Sequence, residues 1–203
     1  MIVLESPSVL SQMNYTADKS FDKDNFTQTF LQKGEYENCV FNQCDFSNSD
    51  LSDIKFIDCE FKSCDLTLAK INKTAFRDVK FKECKMLGLR FDTCHDFGLA
   101  FSFDGCVLNH SCFAAMKIKK TILKNSQLQE ADFTDSDLTA AVFDRCDLNG
   151  ATFDNTVLEK TDLRTAFNYS IDPEINRIKK AKFSIAGVPG LLLKYDIEID
   201  DFA

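Results

Sequence analysis

The sequence predicts an all-β solenoid of parallel coils, and three regularities predict it. The first is a five-residue period of large apolar side chains, unbroken from Phe21 to Phe91 and again from Phe103 to Leu163, filling 28 of 28 slots. At the 44% hydrophobic composition, chance would fill about 12 of them, so the period marks an internal repeat and outranks local helix or strand propensity. The second is a small residue two positions before most centres, as at Cys39, Cys44, Ser49, Cys59, Cys64, Ala131, Ser136 and Ala141. The third is the near absence of chain-breaking residues: seven Gly and three Pro in 203 residues leave no flexible linker.

A period of five is neither the 3.6 of a helix nor the 2 of a flat strand. In extended backbone, residues i and i−2 point to one side, so each unit turns one large and one small side chain inward and must then bend. Four bends of about ninety degrees close a square, giving a 20-residue coil with parallel strands about 4.8 Å from those of the next coil. Large and small inward residues interdigitate and fill the narrow interior. The first units are the weakest, because Lys19, Asp24 and Thr29 occupy the small slot.

Seven of the nine cysteines (Cys39, Cys44, Cys59, Cys64, Cys84, Cys106 and Cys146) fall in the small inward slot, where a reduced thiol serves as a compact hydrophobe. Cys44, Cys64 and Cys84 are 20 apart and should stack, with parallel Cβ vectors that disfavour disulfides. Cys94 lies beside a break in the frame and Cys112 should face outward. Cys94-His95-Asp96 contains the residue types of a nucleophile and its base, but catalytic partners meet through the fold rather than through adjacency. With His110 the only other histidine, and no ligand spacing or phosphate loop, neither an enzyme, a metal site nor a cofactor is expected.

Units such as Cys44-Asp45-Phe46-Ser47-Asn48, Ala131-Asp132-Phe133-Thr134-Asp135 and Cys146-Asp147-Leu148-Asn149-Gly150 resemble the pentapeptide-repeat family, over roughly residues 20 to 167. The resemblance implies a right-handed quadrilateral parallel β-helix. From Phe91 to Phe103 the spacing is 12, two repeats plus two extra residues. Within the family, the stretch from Phe97 to Cys106 resembles the junction of the Qnr-type quinolone-resistance proteins, which joins two segments. The chain accordingly divides into a lead-in (1–20), a first β-helical segment (21–97), a second (98–167) and a C-terminal cap (168–203).

In the cap, Asp172-Pro173-Glu174 reads as a helix start. Val188 to Tyr195 reads as a short apolar helix, and Ile197-Glu198-Ile199 as an alternating strand. A coil end needs covering. Leu191, Leu192, Leu193, Ile197 and Ile199 exceed what one coil face needs, and the Qnr resemblance implies that such a cap pairs two chains into a homodimer.

The net charge of −8 argues against a nucleic-acid binder. Residues 1–20 lack the pattern of a secretory signal and no apolar run reaches membrane-spanning length, so a soluble cytoplasmic protein without a membrane partner is expected. In the second segment, two adjacent sides carry Glu130, Asp132, Asp135, Asp147 and Asp154 and no Lys or Arg; the other two sides are mixed. Such a ridge could imitate the phosphate path of a duplex, or it could reflect a common, solubilising repeat residue. The resemblance to Qnr-type and MfpA-like proteins implies a DNA mimic that binds type II topoisomerases (DNA gyrase and topoisomerase IV), some members protecting them from quinolones. The count of five leaves no room for a long inserted loop in either segment, which resembles the MfpA-like form. The alternative is a general protein-interaction scaffold.

Overall fold

Every fifth side chain from Phe21 to Phe91 and from Phe103 to Leu163 is buried in the computed structural model, which describes residues 14–200. Most of the lead-in, residues 1–13, lies outside the described residues. The large centres stack at one-coil intervals: Phe41 lies 4.7 Å from Phe61 and Phe61 5.1 Å from Phe81, ring over ring. A second column runs Phe91, Phe113, Phe133 and Phe153, with centroids 4.6 to 5.1 Å apart.

Two of the four sides carry strands. On one, β1 (Asn14–Ala17), β3 (Gly34–Glu37), β5 (Lys55–Ile57) and β7 (Ala75–Arg77) pair in parallel. On the next, β2 (Ser20–Asp22), β4 (Val40–Asn42), β6 (Glu60–Lys62), β8 (Val79–Lys82), β9 (Phe101–Asp104), β10 (Ile122–Lys124) and β11 (Val142–Asp144) form a continuous ladder. The other two sides are held by single parallel bridges such as Asp45↔Asp65 and Cys112↔Asp132. Partners differ by 20 residues, as in Phe41↔Phe61, except across the break, where Phe81 pairs Phe103.

The corners explain the small slot. At Ser49, Ala69, Ala131 and Ala151 the slot residue's N–H bonds the carbonyl of the preceding centre at 3.0 to 3.2 Å, closing a tight turn. The residue between them has a left-handed φ, for example 55° at Asn48 and 55° at Glu130, which is the type II pattern. The seven slot cysteines lie at corners without that bond. There the thiol donates instead to a backbone carbonyl, for Cys64 that of Phe41 in the coil below at 3.3 Å. Thr74, Thr156 and Thr161 hydroxyls make the same bond to Leu51, Phe133 and Leu138, each at 2.8 Å. The slot thus mostly takes small residues and often a donor, which Thr74 and Thr161 supply even where their own N–H closes the tight turn on Ile71 and Leu158 at 3.1 Å.

At the break, the two extra residues are absorbed between Cys94 and Ala100: His95 N–H still bonds Thr74, and Ala100 N–H bonds Phe76 at 2.9 Å. Gly98 carries φ +72°, with Arg77 packed where a side chain would begin. The ladder crosses this bulge intact, β8 pairing β9 over four residues. In the first coil, Lys19, Asp24 and Thr29 are all exposed. The Lys19 ammonium lies 4.6 Å over the Phe21 ring and so covers part of the open end.

The C-terminal expectations need correction. The solenoid does not stop at Leu163, because Val157 bridges Arg177 and Asp162 bridges Lys182, completing a further coil. Asp172-Pro173-Glu174 starts no helix; the Asp172 carboxylate accepts the Glu174 N–H at 2.8 Å, an Asx turn. Bonds from Arg177 and Lys182 N–H to Thr156 and Thr161 carbonyls then hold the backbone extended against the coil below. Asn176 fills the small slot, donating to the Phe153 carbonyl at 2.6 Å and accepting the Thr156 N–H at 2.8 Å. The cap is not α-helical: it consists of two 3-10 turns, Ile185–Leu191, which lies on Tyr169, and Leu193–Tyr195, whose Tyr195 hydroxyl donates to Glu174 at 2.8 Å. Residues 197–199 form no strand.

Candidate functional site

The acidic sides are built by the same repeat as the core, so position in the unit decides what each carboxylate does. Asp132 and Asp147 precede a centre, and each turns one oxygen back on its own chain. The Asp132 oxygen accepts the Thr134 N–H at 2.9 Å and the Asp147 oxygen the Asn149 N–H at 3.2 Å. Asp147 also accepts Gln129 at 2.8 Å and Asn168 at 2.9 Å. Burial works to raise its pKa, but these donors prevail and hold it below the usual carboxylate range. Asp132 receives the Cys112 thiol at 3.8 Å as well.

The other three point into solvent. Asp135 and Glu130 occupy left-handed corner positions and Asp154 an outward one. Glu130 lies 3.2 Å from His110 in the coil below, an ion pair when that histidine is protonated. The bridges Gln127↔Asp147 and Cys112↔Asp132 place the five carboxylates on two adjoining sides. From residue 107 through 176, the coils contribute no Lys or Arg to those sides. Below, the same columns continue into Lys85 and Arg90. Above, they continue into Asp172 and Glu174, read in the sequence as a helix start, where Lys194 of the cap reaches both carboxylates at 2.7 and 2.6 Å. Their repeat spacing could have revealed them, had the coil been continued past Leu163.

Cys94 and His95 are not assembled as a pair. The Cys94 thiol donates to the Ile71 carbonyl at 3.6 Å, and burial pushes its pKa up. The His95 Nδ1 accepts the Phe97 N–H at 3.2 Å. Burial likewise raises three of the slot thiols, Cys44 to about 11 and Cys59 and Cys146 to about 12. Among the described residues no group of three or more His, Cys, Asp or Glu could hold a metal ion. No helix there is long and apolar enough to cross a membrane.

In the cap, Leu191 and Leu192 are half-buried, Leu191 against the core, while Leu193, Ile197 and Ile199 are exposed. Ile185, which the sequence reading does not single out, and Val188, placed there in the apolar helix but not among the interface residues, are also exposed in the cap, Ile185 at 92%. The cap's approach depends on Gly187 and Gly190: a Cβ at either would collide with Tyr169.

Comparison with known proteins agrees with this geometry. Models of the pentapeptide repeat region and of pentapeptide repeats in eight copies match residues 34–102 and 126–164, together more than half the chain. No curated protein matches in sequence. Among solved structures, a trypsin-treated variant of QnrB1, a plasmid-mediated fluoroquinolone resistance protein, superposes with a TM-score of 0.57 at 17% identity, covering 93% of this chain and 99% of that one. Full-length QnrB1 gives the same score and identity over 91% and 100%. With its repeat, its square coil and both repeat models in agreement, the chain belongs to the pentapeptide-repeat family.

Proposed function

We propose that this protein is a non-enzymatic DNA mimic that binds a type II topoisomerase, DNA gyrase or topoisomerase IV, through the acidic sides of its second segment. The observation that carries the reading is the one-sided charge: five ridge carboxylates on two adjoining sides whose coils contribute no Lys or Arg from residue 107 through 176. Such a surface presents a cationic DNA-binding groove with an anionic rod, and electrostatic complementarity of this kind sets association rate and partner choice. The fold shared with a fluoroquinolone resistance protein supports the same direction and suggests modulation of quinolone sensitivity. The exposed band of Leu193, Ile197 and Ile199, with Leu191 and Leu192 behind it, supports tail-to-tail homodimerisation, which would present two ridges to one symmetric enzyme.

A gyrase supercoiling assay with and without the protein and a quinolone tests the reading. Altered supercoiling or drug response, lost at high salt, is the expected result. The second reading, a scaffold for another partner, is favoured by one specific observation: Asp132 and Asp147 already serve as turn caps, so two of five ridge acids are explained by folding.

A further inference from the structure

The two sides facing away from the ridge carry the opposite charge. Between residues 117 and 182 they hold eleven Lys and Arg against four Asp and Glu, an excess of seven. All four carboxylates (Asp137, Asp144, Glu159 and Asp162) are ion-paired at 2.6 to 3.3 Å with Lys119, Arg145, Arg177 and Arg164. Lys117, Lys120, Lys124, Lys160, Lys179 and Lys180 are exposed and form no ion pair among the described residues. Lys120, Lys160 and Lys180 share one corner column, with φ 60° at each, diagonally across the rod from Glu130.

We propose that this cationic edge is a second interaction surface, which takes the phosphate backbone of duplex DNA. Net charge describes the chain, but a duplex meets one side of it, and the coil segregates the charges. The unpaired lysines form two groups, Lys117, Lys120 and Lys124 below and Lys160, Lys179 and Lys180 above. They stand two to three coils apart, about 10 to 14 Å at the spacing of parallel strands. That separation matches the two backbones flanking a major groove about 12 Å wide. The chemistry is that of phosphate positioning alone. Among the described residues no large aromatic is exposed on these sides to stack on bases. Among the described residues Ile122 is the one large apolar residue exposed between the two groups, too little to insert in a lipid surface.

The test uses the full chain and a fluorescently labelled duplex of about 20 base pairs, without topoisomerase, so that it stands apart from the mimic reading. Anisotropy should report binding that weakens from about 50 to 200 mM salt, with a log–log slope of about 0.9 per phosphate contacted. Lys120→Gln/Lys160→Gln/Lys180→Gln should weaken binding at least about tenfold and lower that slope by about 2.7. Lys117→Gln/Lys124→Gln/Lys179→Gln, at outward positions rather than corners, should do the same and guards against a folding defect in the first variant. Asp132→Asn/Asp135→Asn/Asp154→Asn should bind as well or better. Absence of duplex binding at about 50 mM salt, or binding unchanged in both lysine variants, overturns the proposal. So does low-salt self-association that both the lysine and the aspartate variants abolish without duplex binding, which would make a second copy the occupant.

Discussion

The Asp132 carboxylate accepts the backbone N–H of Thr134 at 2.9 Å, and the same bond recurs wherever an aspartate precedes a centre. Asp45, Asp50, Asp65, Asp137 and Asp172 cap Ser47, Ser52, Thr67, Thr139 and Glu174 at 2.8 to 3.0 Å. Asn25 does so for Thr27 at 2.9 Å, so the bond needs an oxygen and not a charge. Asp132→Asn should therefore leave thermal stability nearly unchanged, while Asp132→Ala should cost about 1 kcal/mol by stranding a half-buried N–H. Asp135→Ala, where no such bond exists, should cost far less. Equal losses for the two alanine variants in denaturant melts would remove the capping role.

Core and surface phenylalanines should separate cleanly. Phe61 is fully buried between Phe41 and Phe81, whereas Phe30 is 76% exposed. Phe61→Ala should cost about 3–5 kcal/mol through the cavity it leaves, and Phe30→Ala little. Comparable melting shifts for the two would show that the repeat frame does not define the core.

The frame was legible because its signal is redundant: 28 apolar centres repeat one decision, and each is buried as the spacing requires. The tail was misread because its local signals are ambiguous. Asp-Pro-Glu serves equally as a helix N-terminus or an Asx turn. The choice is made by Thr156 and Thr161 carbonyls one coil away, which no local window contains. Asn168 and Pro173 interrupt the fifth-residue count, hiding the last coil, while Tyr169 and Ile171 supply its core one residue or more out of step. The spacing of the slot cysteines shows only that they are small and inward; their second task, donating to a carbonyl, is visible only when coils are stacked. The acidic sides follow from the 20-residue count, whereas the excess of unpaired cations opposite them does not. Side totals count paired and unpaired charges alike, and the further coil adds Arg177, Lys179, Lys180 and Lys182.

Acid should loosen the coil through these same carboxylates. Hydrogen bonds from the Arg164 guanidinium, working against burial, bring the Asp162 pKa to about 2, below its unfolded value of about 3.9. A depressed carboxylate contributes stability that is present above the unfolded value and is lost as pH falls towards 2. Melting temperature should thus decline from about pH 4 to pH 2, and Asp162→Asn should flatten part of that decline. A variant with an unchanged pH profile would show that Asp162 is not among the groups responsible.

The cap links stability to assembly. Gly187→Ala drives a methyl into Tyr169 and should lift the 3-10 turns from the last coil, lowering the melting temperature. Leu193→Asp places a charge at a side chain already 61% exposed, so it should leave the monomer folded. If the cap pairs two chains, the same change should weaken the dimer by burying an unpaired carboxylate. Light scattering decides: a monomer from the unaltered chain sinks the dimer, and an unaffected dimer from Leu193→Asp places the interface elsewhere.

The ridge can be tested without disturbing the fold, because its members divide by task. Glu130, Asp135 and Asp154 cap no turn, so Glu130→Gln/Asp135→Asn/Asp154→Asn removes three charges from solvent-facing positions and should melt like the unaltered protein. If the rod enters a cationic groove, that variant should bind gyrase or topoisomerase IV more weakly, by about tenfold or more at low salt, with the difference shrinking as salt rises. A matched change at Asp22, Glu60 and Glu83 in the first segment also removes three charges but leaves the ridge intact. It should have much less effect, which separates a local surface from the chain's overall negative charge. Equal weakening by the two variants would show that net charge alone governs association. Binding that neither variant nor salt alters would remove the mimic and leave the protein a scaffold that uses another surface.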